Sequence, residues 1–232
     1  SIDEIAIKKG HKYMTIFTDI STGQIIHAVE GRNKEALKPF LKLLFKKAKR
    51  LRGIGIDMSA AYSSSVKAYL PHVSIIFDRF HVTKLLNDTI DKIRRSEYAK
   101  CKDKGLKVFK GQRFLLLRNF VDLDDGQKGS LQHLLEINQS LAIAHSMKEQ
   151  FRLFWGLSSR SDGARFLGWW IIQSLESGVE LLAKTARTLL RHYEGLLSYF
   201  DHRIDNGKAE GINNKIKVLK RQAYGFHDQK YF

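Results

Sequence analysis

Cysteine is nearly absent from this chain of 232 residues, in which Cys101 is the only one. This scarcity excludes a disulfide framework and a cysteine-rich zinc finger within the chain. No apolar run approaches the roughly 20 residues that a membrane span requires, and the opening SIDEIAIKKG does not have the pattern of a signal peptide. We therefore expect a cytoplasmic protein without a membrane role. Because the chain opens without Met in a strand-like pattern, we also expect a fragment of something longer.

Acidic residues are also few in comparison with basic residues. Twenty-four Asp and Glu stand against 40 Lys and Arg, which gives a formal net charge of +16 and a pI near 9.9. Such an excess favours polyanionic partners, either nucleic acid or an anionic membrane surface. The chain shows no exposed amphipathic anchor for a membrane surface, so nucleic acid is the expected partner.

The first 80 residues carry alternating strand and helix patterns. Residues 1–31 read as three strands with short connections, which predicts an antiparallel meander. An amphipathic helix follows at 33–52, and then the buried strand GIGID (53–57), a second helix and the buried strand VSIIFD (73–78). Two apolar strands joined by a helix predict a parallel crossover. The order matches a ribonuclease H-like α/β fold, a mixed five-stranded sheet with flanking helices.

Only helical periodicity follows, from His81 to about Phe200. We expect three segments: a ribonuclease H-like core at 1–95, an all-helical insertion at 96–200, and a final core helix within 201–232.

Carboxylates fall at the ends of the predicted parallel strands. Asp57 ends the first of them and Asp78 the second, and sites in open sheets form at such ends. In the first strand, alternation lets either Asp3 or Glu4 point to a given face, and the pattern does not choose between them. Taken alone, Asp57 and Asp78 are each more simply interpreted as helix caps, and Asp19 before STG as a turn residue.

A last helix, at 208–223, carries Glu210 at its head. The simple reading of Glu210 is an acid that interacts favourably with the helix dipole. Gly211, Asn213 and Asn214 are poor helix formers, however, and their clustering in one turn needs another reason. A polar face with one acid, two amides and the cations Lys217, Lys220 and Arg221 suits a metal-bound phosphodiester. Mg²⁺ is held by carboxylate oxygens, and two such ions can clamp the oxygens of a phosphoryl displacement.

Four stretches carry a family resemblance: IDEIAIKKGHKYMTIFTDISTG, DMSAAY, FDRFHVTKLLNDTIDKIRR and LLSYFDHRIDNGKAEGINNKIKVLKRQAYGF. Together they resemble the catalytic domain of the ISL-three family of bacterial insertion-sequence transposases. The resemblance implies a DDE transposase that requires Mg²⁺, with Mn²⁺ as a substitute. It implies Asp3, Asp57 and Glu210 as the catalytic, metal-binding triad, and this settles the choice between Asp3 and Glu4 by analogy.

The DRFH stretch resembles the D-x-x-H motif of related transposases. Asp78 and His81 are therefore expected as auxiliary residues that reach the same phosphate, although His81 could also have a plain capping role. The expected DNA-binding residues are the two amides and the cations around these motifs: Asn213, Asn214, Lys217, Lys220, Arg221, Arg79 and Lys84.

The function implied by the resemblance is DNA strand cleavage and strand transfer at insertion-sequence ends. The partners would be the terminal inverted repeats and target DNA, with a homodimer forming on DNA near the bacterial nucleoid. Family members also carry N-terminal zinc-binding and helix-turn-helix regions that are not in this chain. Two alternatives stay open: a ribonuclease H-like endonuclease that does not join ends, and a transposase-derived DNA-binding protein without catalysis.

Two further features have competing interpretations. Lys34, Lys38, Lys42, Lys46 and Arg50 recur every four residues along the first helix, either as a solvated ridge or as a DNA-backbone contact. Trp169 and Trp170 are either a core pair or include one ring that stacks on an unpaired base.

Overall fold

The computed structural model describes residues 1–8, 12–101 and 111–203, together with positions 211, 214, 215 and 218. The chain divides into two compact units. Unit 1 comprises Ser1–Arg79 with His202–Phe232, and unit 2 comprises Phe80–Asp201. The division into segments 1–95, 96–200 and 201–232 remains a prediction.

Unit 1 opens with three antiparallel strands, β1 (Ile2–Lys8), β2 (Lys12–Asp19) and β3 (Gln24–Glu30), which confirms the predicted meander. The turn between β2 and β3 is held by the Asp19 carboxylate, which accepts a hydrogen bond from the Ser21 amide at 2.9 Å. Gly23 completes the turn with φ of +75°, a conformation that glycine adopts without steric cost. The turn interpretation of Asp19 is therefore confirmed.

The predicted crossover follows the meander. After α1 (Lys34–Lys47) come β4 (Gly53–Ile56), α2 (Ala60–Tyr69) and β5 (Ser74–Phe77), and β4 and β5 pair in parallel. In the described part of the chain, the ladders thus form one three-stranded and one two-stranded sheet instead of the single five-stranded sheet that the sequence predicts. Strands β1 and β4 are neighbours, with Cα atoms within 8 Å, but no ladder joins them.

Helix α1 covers one face of the meander. Its Phe40 ring lies 4.6 Å from the Phe17 ring of β2 and stacks 4.2 Å from the His27 ring of β3. On the same helix, Leu37 and Leu41 are fully buried, as the amphipathic pattern predicts. Asn33 caps the helix by accepting a hydrogen bond from the Ala36 amide. The face of the meander that bears Phe17 is therefore the face on which α1 packs.

In the described part of unit 2 every regular element is a helix, which confirms the predicted run of helices. A 3-10 turn at Phe120–Asp122 interrupts it. The helices are α3 (Arg79–Cys101, beginning on the last residue of unit 1), α4 (Arg113–Leu117), α5 (Asp125–Glu136), α6 (Gln139–Phe154), α7 (Arg160–Glu176), α8 (Glu180–Arg191) and α9 (Tyr193–His202). Among the described residues, no helix combines the length and the apolar character needed to cross a membrane.

An aromatic cluster forms the centre of unit 2. The rings of Phe151 and Trp170 meet edge to face at 5.0 Å, and Phe154 meets Phe200 in the same way at 5.1 Å. Trp170 is fully buried and donates its indole N–H to the Met147 carbonyl at 2.8 Å, whereas Trp169 is 44% exposed. The tryptophan pair is therefore divided between core and surface.

Candidate active site

Asp57 follows β4 directly and begins the connection to α2. Its Oδ1 accepts a hydrogen bond from the Ser59 amide at 2.8 Å, whereas the Ser59 side chain, at the N-cap of α2, makes no capping bond. The turn interpretation of Asp57 thus holds locally. The same bond also fixes the direction of the carboxylate at the carboxyl end of a parallel strand.

Cross-strand register separates Asp3 from Glu4. Asp3 lies opposite Ile16, and Glu4 lies opposite Thr15. Because successive side chains alternate between faces and paired residues share a face, Glu4 lies on the α1 face with Thr15 and Phe17, and Asp3 lies on the opposite face.

Glu4 has a partner on its own face. Arg32 forms an ion pair with its carboxylate at 3.4 Å, and the Arg32 guanidinium lies 4.1 Å from the centre of the Tyr13 ring. The Asp3 carboxylate accepts a hydrogen bond from the Glu4 amide at 2.7 Å. The two acids that the sequence pattern could not separate thus have different environments.

Tyr62 of α2 lies near the acids of both strands. It is buried, and its hydroxyl lies 3.0 Å from Thr15 Oγ1, which donates in turn to the Gly31 carbonyl at 2.7 Å. Burial raises the pKa of the Tyr62 phenol, the hydrogen bond with Thr15 acts against that rise, and the negative charges of Glu4, Asp57 and Asp3 raise it further. The charges of Asp3 and Asp57, which are 54 positions apart in the chain, therefore both reach this phenol, as does the charge of Glu4, which shares the face of Thr15.

Sequence reasoning did not single out Tyr62. The available signal was its place in DMSAAY, on the face of α2 that also carries the buried residues Ser65 and Val66. A buried tyrosine needs a partner for its hydroxyl, and here that partner is a strand residue beside the candidate acids.

Asp78 extends the same edge of the structure. Ile56 and Phe77 are paired at the end of the β4–β5 ladder, and the Asp78 amide donates to the Ile56 carbonyl at 3.1 Å. Asp57 and Asp78 thus follow neighbouring parallel strands, whose spacing is about 4.8 Å.

The remaining residues of the DRFH region lie on α3. His81 is the third residue of this helix, half-buried, with its ring edge to face with Phe80 at 5.4 Å. The predicted DNA-binding residues Arg79 and Lys84 are both exposed.

The third predicted acid, Glu210, lies outside the described residues, as do Asn213, Lys217, Lys220 and Arg221. Asn214 is described, in a helical conformation and exposed. Among the described residues, no group of three or more His, Cys, Asp and Glu side chains is placed to hold a metal ion. The donor types nevertheless fit a hard cation, because Asp3 on β1 and Asp57 directly after the neighbouring β4 supply carboxylate oxygens.

Comparison with known proteins defines the class. A family model described as "Transposase", that of the ISL3 group of DDE transposases, matches residues 1–232. The chain belongs to this ISL-three family of insertion-sequence transposases.

Two relatives show how much of a transposase the chain represents. It is similar to the transposase for insertion sequence element IS1001 of Bordetella parapertussis, with 33% identity over 236 residues that cover 100% of this chain and 58% of the relative. It is also similar to the transposase for insertion sequence element IS1557 of Mycobacterium tuberculosis, with 25% identity over 97% of this chain and 56% of the relative. The chain therefore spans somewhat more than half the length of these relatives. No solved structure matches it.

Proposed function

We propose that this chain is the catalytic portion of a transposase that cleaves DNA at insertion-sequence ends and joins those ends to target DNA. Asp3, Asp57 and Glu210 are its catalytic, metal-binding residues. In this proposal, β1 and β4 lie side by side in one ribonuclease H-like sheet of five strands. The neighbourhood of these two strands supports that arrangement.

The observation that carries the proposal is the neighbourhood of β1, which bears Asp3, and β4, which Asp57 follows directly. The two carboxylates come from strands far apart in the chain, and Asp57 lies at the strand edge where α/β proteins place their sites. Two anions held close together repel each other unless a cation lies between them. A divalent ion is the partner that this pair of carboxylates suits.

Each residue of the site has a proposed role. Asp3 and Asp57 would hold Mg²⁺ or Mn²⁺ together with Glu210, and the Ser59 amide keeps the Asp57 carboxylate directed. When bound, the ion supplies Lewis-acid stabilisation of the charge that develops on the phosphate. Asp78 and His81 position the DNA phosphate.

The DNA itself would be held by side chains around these acids. Arg79, Lys84, Lys217, Lys220 and Arg221 neutralise the DNA backbone, and Asn213 and Asn214 add hydrogen bonds to it. The chain acts near the nucleoid and pairs two element ends as a homodimer on DNA.

The relatives support DNA as the substrate, because both are transposases for insertion sequence elements. Since the chain covers 58% and 56% of their lengths, we propose the activity for the protein of which it forms the catalytic part.

The decisive experiment compares two aspartates with the same local hydrogen bond. Asp57 and Asp19 each accept a bond from the amide two positions later, at 2.8 and 2.9 Å. We expect Asp57→Asn to lower cleavage and joining of a labelled terminal-repeat duplex at least 100-fold in Mn²⁺, which corresponds to about 2.7 kcal/mol or more of transition-state stabilisation. Asp19→Asn should leave both reactions within about twofold, since Asp19 lies in a turn.

The reaction products separate the alternatives. Joined products that require Asp3, Asp57 and Glu210 support the transposase. Cleavage without joined products would favour the endonuclease, and activity that survives all three acid-to-amide changes would overturn the proposal.

A further inference from the structure

Helix α1 carries the most concentrated positive charge of the described chain. We define the α1 ridge as the cations at every fourth position from Lys34, namely Lys34, Lys38, Lys42 and Lys46 on α1, and Arg50 just beyond its end. All of them are exposed. Between residues 33 and 52, three further lysine and arginine positions accompany the ridge and Glu35 is the only acid.

The described part of the chain does not neutralise the ridge. Among these residues, none of the ridge cations has a carboxylate within 4 Å. Cations elsewhere on the surface behave differently: Arg95 pairs with Asp91 at 3.2 Å and Lys100 with Glu97 at 2.6 Å. The α1 ridge is thus a charged surface whose partner lies outside the described chain.

The dimensions of the ridge match a duplex backbone. From Lys34 to Lys46 the helix rises by about 18 Å, at 1.5 Å for each residue. Duplex DNA carries about ten phosphate charges over that length. Four lysines in one row therefore reach several successive phosphates without any contact to the bases.

The ridge faces away from Asp3. Leu37, Leu41 and Phe40 direct the other side of α1 onto the face of the meander that bears Phe17, whereas Asp3 lies on the opposite face. The sheet and the full thickness of a helix, roughly 10 Å, separate the ridge from Asp3. A straight duplex with its phosphate at Asp3 cannot also lie along the ridge.

We infer that the α1 ridge binds the backbone of a second DNA segment, distinct from the segment held at the carboxylates. This inference rests on the proposed function in taking DNA as the partner. The contacts that the α1 ridge can make are independent of sequence, because phosphate contacts hold a duplex without reading its bases. Such contacts suit target or flanking DNA.

Two charge-matched variants test the inference. K34Q/K38Q/K42Q/K46Q removes four ridge charges. R95Q/K100Q/K128Q/R165Q removes four cations, three of them exposed and Lys128 half-buried, that already pair with carboxylates. Binding of a random-sequence duplex is measured by fluorescence anisotropy over a range of salt concentrations in EDTA. Circular dichroism verifies the fold of both variants.

The DNA affinity of the ridge variant should depend less steeply on salt concentration. We expect the slope of log K against log salt to become shallower by up to about 3.6, four contacts at about 0.9 each, with little change in the control variant. Equal slopes in the two variants would overturn the inference. So would a ridge variant that binds DNA normally but no longer binds a polyglutamate peptide, since the partner would then be an acidic protein surface.

The number of duplexes bound per chain tests whether a second DNA segment is bound. With a duplex of about one helical turn, roughly 10 base pairs, the parent chain should bind two duplexes and the ridge variant one. A single duplex on the parent chain would overturn the inference. Because EDTA removes any role for metal, these binding results are independent of the cleavage assay. If the proposed catalytic acids are wrong, the expected change in salt slope is unaffected. If the ridge inference is wrong, the expected effect of Asp57→Asn on cleavage is unaffected.

Discussion

Tyr62 connects three parts of unit 1 through a single hydroxyl. Its bond with Thr15, and the bond from Thr15 to the Gly31 carbonyl, join α2 to β2 and to the turn before α1. The charges of Glu4, Asp57 and Asp3 reach the phenol at the end of this chain of bonds. The buried hydroxyl therefore helps to fix the strands that carry the candidate acids.

Replacing Tyr62 by Phe should destabilise the fold modestly and change its response to alkali. Loss of one buried hydrogen bond costs about 1 kcal/mol of unfolding free energy. An unfolded tyrosine releases its proton near pH 10, whereas burial raises the pKa of folded Tyr62. The parent chain should therefore lose stability as the pH rises above about 10, because only the unfolded state releases the proton there.

Urea unfolding between pH 8 and pH 11 measures both effects of Tyr62→Phe. The variant keeps every lysine, so the titration of lysines in alkali affects both chains alike. A shallower loss of stability above pH 10 in the variant can then be assigned to the missing Tyr62 phenol. Parallel pH profiles for the two chains would contradict a raised pKa at Tyr62.

At the scale of elements, α7 contains two glycines with opposite surroundings. A Cβ on Gly163 would overlap the Phe200 ring of α9, whereas a Cβ on Gly168 would meet nothing within 4 Å. Phe200 is itself held edge to face by Phe154. Gly163 thus permits a close approach of two helices, and Gly168 makes no such contact.

Alanine at these two positions should therefore have effects of opposite sign. Gly168→Ala should stabilise the chain by up to about 1 kcal/mol, the usual gain for alanine inside a helix. Gly163→Ala should destabilise it by about 1–3 kcal/mol, the usual range for overpacking in a core. Chemical denaturation of the two variants measures the difference, and equal stabilisation of both would mean that Phe200 moves aside freely.

The elements of this fold were predictable, because hydrophobic periodicity alone located the meander, the crossover and the helical run. Packing also separated Trp169 from Trp170 for a simple reason: neighbouring residues on a helix lie about 100° apart, so one ring enters the core while the next faces solvent.

The sequence pattern could not predict which strand residues pair or that Lys148 is buried. The faces of Asp3 and Glu4 depend on which residues of β2 lie opposite them. The Lys148 ammonium is likewise buried in α6, where it donates to the Leu116 and Arg118 carbonyls at 2.9 and 2.7 Å. A lysine on a helix ordinarily predicts a solvated position, but here the carbonyls at the end of α4 and the Glu149 carboxylate, 2.9 Å away, replace the solvent.

At the scale of the whole molecule, the net charge of +16 favours the approach of a polyanion such as the proposed DNA partner. The candidate acids oppose that approach whenever no cation is bound to them. We therefore expect D3N/D57N/E210Q to bind a duplex more tightly than the parent chain in EDTA, by about threefold to tenfold at 0.1 M salt, where charges act over about 10 Å. Fluorescence anisotropy gives the comparison.

Adding Mn²⁺ provides the control for the triple variant. The parent chain should gain affinity for the duplex with Mn²⁺, and D3N/D57N/E210Q should not. Equal responses of the two chains to Mn²⁺ would place the ion elsewhere.

Strand β3 has a consequence for handling the protein. Within the described chain it pairs only with β2, and Ile25 and Ile26 on it are 45% and 50% exposed. An open, apolar strand edge is a template for self-association. At low ionic strength the positive charge keeps molecules apart, but at 1 M salt the screening length falls to about 3 Å. The high-salt wash that removes contaminating nucleic acid during purification is thus the step at which the chain should aggregate. Replacing Ile26 by lysine would reduce that aggregation.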